Sequence, residues 1–103
     1  MIMTILEAQV ASEQWEALQQ AWQAQSEQRP AQLVQSFLVQ STTEPTLWRG
    51  ISIWPSRQAL EEMRRDVSTP GGVLIFRAAG AEPTLSLFEI VDHLPSEYSS
   101  VPH

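Results

Sequence analysis

The run from Trp48 to Leu60 constrains this chain most, because a strand pattern passes directly into a helix pattern. Leu47, Arg49, Ile51 and Ile53 alternate with Trp48, Gly50, Ser52 and Trp54, the period of two that a pleated strand imposes. Ser56 follows, offering a hydroxyl to the free N–H groups of a first helical turn, and Ala59, Leu60, Met63 and Val67 recur at helical spacing. A strand that hands over to a helix within two residues fixes the local topology.

The rest of the chain extends that unit. Ile2, Thr4, Leu6, Ala8 and Val10 alternate with Met3, Ile5, Glu7 and Gln9, which predicts a first strand with one face more apolar than the other. Ser12 is expected to cap a helix that carries Trp15, Leu18 and Trp22 on one face and fades before Pro30. Leu33 to Gln40 predicts a strand with apolar residues on both faces, and Ser41 to Pro45 has turn composition, so a hairpin joins it to the strand ending at Trp54. The second helix is expected from about Ser56 to Val67, ended by Ser68-Thr69-Pro70-Gly71-Gly72. Val73 to Phe76 fits either a strand or a helix, Ala79 to Pro83 is a turn, and Leu85 to Val91 predicts a final strand. The order β-α-β-β-α-β, with the segment at Val73 open, is the ferredoxin-like α+β arrangement: an antiparallel sheet with its helices on one face. Residues 1–95 form the single expected domain and 96–103 a flexible polar tail. Because the far face of the sheet also carries apolar side chains, a homodimer through sheet faces is predicted.

Composition narrows the partners. A formal charge of −6, from twelve acids against six arginines, repels phosphate backbones and anionic headgroups, so neither nucleic acid nor a membrane is an expected partner. Arg57, Arg64 and Arg65 fall on the polar side of the second helix, where a solvated face is expected. Cysteine is absent, which removes disulfides, thiolate metal sites and a cysteine nucleophile, and His93 and His103 lack the spacing of metal ligands. With no basic segment ahead of the apolar start and no long apolar run, a cytoplasmic location is the expectation.

Trp54-Pro55-Ser56-Arg57-Gln58-Ala59-Leu60, behind a hairpin of matching length, resembles the strand end and second-helix opening of the antibiotic-biosynthesis-monooxygenase-like family of dimeric α/β barrels. Similar element order covers about residues 2–94. The resemblance implies a sheet-to-sheet dimer with a cleft between sheet and helices in each subunit, used by some members for cofactor-free oxygenation of polycyclic phenols and by others to cleave haem. Several departures qualify it. Pro30-Ala31-Gln32-Leu33 stands where the family often has Pro-Gly-aromatic, Met63 stands where active relatives place a tryptophan, the chain has no asparagine, and its one tyrosine is Tyr98 in the tail. Val73 falls near the position of the axial histidine used for haem, so haem cleavage is not expected and no cofactor is implied.

Oxygenation without a cofactor needs a base and anion-stabilising groups gathered in an apolar pocket. Glu7, which interrupts an apolar strand, is the candidate base, and Arg77 the candidate partner or anion holder. Trp48, Ser52, Arg49 and Met63 are the candidate substrate-binding residues for a small aromatic or hydrophobic ligand. Plainer roles stand beside these: a glutamate paired with an arginine, a tryptophan in the core. A cleft holding Glu7 or Arg77 beside Trp48 points to an enzyme. A cleft filled by side chains points to a non-catalytic ligand-binding or assembly module.

Overall fold

The computed structural model describes residues 1–67 and 69–94. Four strands, β1 (Ile2–Gln9), β2 (Gln35–Gln40), β3 (Leu47–Trp54) and β4 (Thr84–Glu89), form one sheet in the order β2-β3-β1-β4. Each neighbouring pair is antiparallel. Three helices, α1 (Trp15–Ser26), α2 (Arg57–Asp66) and α3 (Gly71–Ala78), complete the ferredoxin-like arrangement. Residues 96–103, expected as a tail, lie outside the described residues.

One local expectation needs correction, and the segment left open is settled. Ser12 does not cap α1: it opens a 3-10 turn over Ser12–Gln14, and its hydroxyl meets Glu13 instead. The open segment at Val73 is helical. Ile75 and Phe76 are buried on that helix, and their packing outweighs the poor helix propensity of Gly71 and Gly72. These glycines let neighbouring side-chain tips come close. A Cβ on Gly72 would lie 2.6 Å from Cδ1 of Leu6, and one on Gly71 2.9 Å from Oε1 of Gln25. The segment Pro70-Gly71-Gly72 therefore both ends the connection from α2 and seats a new helix against the sheet.

Ser56 behaves as its sequence predicts, accepting a hydrogen bond from the N–H of Ala59 at 3.1 Å. At the other end of the helical layer Gly80, with φ of 71°, follows the last turn of α3. The Ala81 N–H reaches back to the Phe76 carbonyl and the Gly80 N–H to that of Arg77, the two bonds of a Schellman ending.

Strand parity sorts the side chains. Even-numbered residues of β1 and β3 face the helices, and there the core divides into two clusters. One gathers Ala8, Val10, Leu18, Trp48, Ile75, Phe76 and Ala79, and the other Ile2, Trp54, Leu60 and Met63. Odd-numbered residues of β1, β2 and β3 face away, as do even-numbered ones of β4. Met3, Ile5, Ile51, Ile53, Phe37, Val39 and Phe88 share that second face, on which no described element packs, and Phe88 remains 54% exposed.

Candidate functional site

Between the two core clusters the helix-facing side of the sheet carries small residues. Ser36 pairs across strands with Ser52, and Ser52 with Thr4, so three hydroxyls form one row; Gly50 lies in the next. Where large side chains fill both ends of a layer and small ones its middle, space is left. A cavity of about 570 Å3 opens there, floored by Thr4, Ser36, Gly50 and Ser52 and walled by Trp22, Trp54, Met63, Leu74 and Phe76 among others.

The floor is hydrogen-bonded internally. Nε1 of buried Trp54 donates to Thr4 Oγ1 at 3.0 Å, which fixes the indole plane at one end of the cavity. Ser36 and Ser52 hydroxyls lie 2.9 Å apart, and Ser36 also reaches the Ile51 carbonyl at 3.2 Å. Two serines hold two protons and their mutual contact uses one; the other goes to the carbonyl or to a guest. The ionisable residues lining the cavity are Arg29, in the connection after α1, and Arg64, on the last turn of α2. Both are exposed, which places them at the mouth. None of the described aspartates, glutamates or histidines lines it. The arrangement can hold an apolar body, hydrogen-bond it from the floor and meet negative charge at the rim.

Of the residues predicted for the site, Ser52 and Met63 line this cavity. Glu7 and Arg49 do not. Both occupy odd positions, face the open side of the sheet and form an ion pair of 2.6 Å with side chains 40% and 48% exposed. Arg77 lies on the outer side of α3, where it donates to both carboxylate oxygens of Glu82, at 2.9 and 3.1 Å. These bonds, reinforced by the opposite charge, hold the Glu82 carboxyl below its ordinary value and the Arg77 guanidinium above its own. Trp48 is a core residue, edge-on to Trp15 at a centroid distance of 5.9 Å, and its buried Nε1 has no partner among the described residues. It lines a separate groove between α1 and β2. The expected grouping of Glu7 or Arg77 beside Trp48 is thus not assembled, because sheet parity puts Glu7 and Trp48 on opposite faces.

Thr4, Ser36 and Arg29 escaped the sequence reading. A polar residue at a helix-facing position of an apolar strand was the available signal for the first two. Arg64, expected on a solvated helix face, stands at the mouth because α2 ends beside it.

Solved structures with this architecture identify the fold. SnoaB, a cofactor-independent oxygenase from Streptomyces nogalater, superposes with a TM-score of 0.64 at 19% identity, over 91% of this chain and 96% of that one. A candidate antibiotic biosynthesis monooxygenase from Deinococcus radiodurans gives 0.69 at 12% identity, over 91% and 96%. Another from Nitrosomonas europaea gives 0.68 at 18% identity, over 88% and 99%. The fold is that of the antibiotic biosynthesis monooxygenases. No family model matches the chain, and no curated protein matches it. In this monooxygenase-like fold the cavity lies between sheet and helices, where the sequence resemblance implied a cleft. No helix among the described residues is long and apolar enough to cross a membrane.

Proposed function

We propose that this chain binds a flat, apolar small molecule in the cleft between its sheet and helices, as a homodimer closed through the open sheet face. The cavity carries the reading. Its volume of about 570 Å3 falls within the roughly 300–1,000 Å3 typical of small-ligand sites, and two indole rings give it flat walls over a hydroxyl floor. Support for the dimer comes from the apolar row on the far face of the sheet, whose burial is worth about 25 cal/mol per Å2 before association costs.

Titration with polycyclic phenols and anthrones, followed by quenching of Trp22 and Trp54 emission, tests the binding. Saturable quenching is expected with at least one planar compound. A flat response across the panel would remove the reading.

Cofactor-independent oxygenation of the bound molecule is the second reading, favoured by the fold shared with SnoaB. In that reaction the ionised substrate reduces dioxygen; one oxygen atom enters the product as a carbonyl and the other leaves as water. The protein must hold the anion in an apolar space, a task suited to the arginines at the mouth and the hydroxyls on the floor. With no carboxylate or imidazole among the described lining residues, the substrate's proton is lost to water. Oxygen uptake matched to quinone formation supports this reading, and tight binding without uptake leaves a binding protein.

A further inference from the structure

The charge of the chain and the charge of its cleft have opposite signs. Acids outnumber arginines twelve to six over the whole sequence. Around the cavity the balance inverts: its ionisable lining residues are Arg29 and Arg64, and none of the described acids joins them. The two arginines come from separate elements, one beyond the end of α1 and the other at the end of α2. They share only the mouth of the cleft. Neither forms an ion pair with any described residue, whereas Arg49 and Arg77 are both held by glutamates on other surfaces.

An acidic protein that carries two guanidinium groups at the rim of an apolar cavity has a local field opposed to its net field. Low-dielectric walls focus that local field on whatever enters. Guanidinium groups present donors in a fork that fits a carboxylate or phenolate, and a neutral guest would leave those donors to water.

We propose that the cleft selects amphipathic monoanions: molecules with a planar apolar body seated between Trp22 and Trp54 and one carboxylate or phenolate held at the mouth by Arg29 and Arg64. The proposal rests on the cleft being a ligand site and names the class of ligand. It also assigns the arginines a role in orientation, since the anionic head stays at the rim while the body reaches the hydroxyl floor.

The test uses the full chain and two probes of one shape, anthracene-2-carboxylate and its neutral primary amide, titrated against tryptophan emission. The carboxylate is expected to bind about tenfold more tightly, the product of two partly exposed charge contacts worth a few-fold each. Raising salt to about 0.5 M should erase most of that preference and leave the amide unchanged. The double variant Arg29→Gln/Arg64→Gln should bind both probes with the affinity the wild type shows for the amide. Equal wild-type affinities for the two probes overturn the proposal while leaving the cleft a binding site. Binding of neither, nor of any planar compound in the wider panel, removes the underlying reading as well. A preference that survives both high salt and the double variant places the anion elsewhere and equally overturns the assignment.

Discussion

Thr4 and Trp54 show how a buried polar contact can be both structural and spatial. The two residues are 7% and 4% exposed, so removing the threonine oxygen takes from the indole N–H the buried partner it holds in the structure. Thr4→Val preserves shape and is expected to cost about 1–3 kcal/mol in denaturant unfolding, the penalty of an orphaned buried donor. Ser56→Ala removes the cap of α2 and should cost about 1 kcal/mol by the same measurement. A third prediction concerns pH. The Glu82 carboxyl is lowered in the folded state, so its contribution is present above the unfolded carboxyl value and is lost as pH falls through the folded one. Melting temperatures of wild type and Glu82→Gln should therefore differ slightly near neutrality and converge in acid, where both side chains are uncharged. Of these residues Ser56 was legible in the sequence, because a cap depends only on neighbours within one turn. Thr4 was not, since its role depends on the partner that antiparallel pairing brings from fifty positions away.

At the scale of elements, strands and the two amphipathic helices follow from periodicity, and α3 does not. Four apolar residues in a row, Val73 to Phe76, carry no period by which a strand can be told from a helix, and the preceding glycines read as a break. The helix is decided by what lies beneath it: Ile75 and Phe76 are buried, and the side-chain tips of Leu6 and Gln25 come close against the glycines of its first turn. Its last turn is decided by Gly80. Gly80→Ala forces a side chain into the left-handed region and is expected to destabilise by about 1 kcal/mol, read as a lower denaturant midpoint with unchanged slope. The floor of the cavity was likewise hidden, because Ser36, Ser52 and Thr4 form a row only once the register of three strands is known.

For the whole molecule, a two-layer fold with one bare apolar layer predicts association. Sedimentation of the wild type at micromolar concentration should give a dimer. Ile51→Asp, placing a charge at the centre of that layer, should give a folded monomer with an unchanged far-ultraviolet spectrum. A wild-type monomer would contradict the proposed assembly. The same layer also holds the pair formed by Glu7 and Arg49, which looks incidental on a free subunit. In the proposed dimer a second copy lying over it would cut these two ions off from water and tolerate only an arrangement that keeps them matched. A look-alike chain that is equally oily but shifted by a residue would strand one of them, so in that assembly the pair would serve as a password that admits a twin and turns away a cousin.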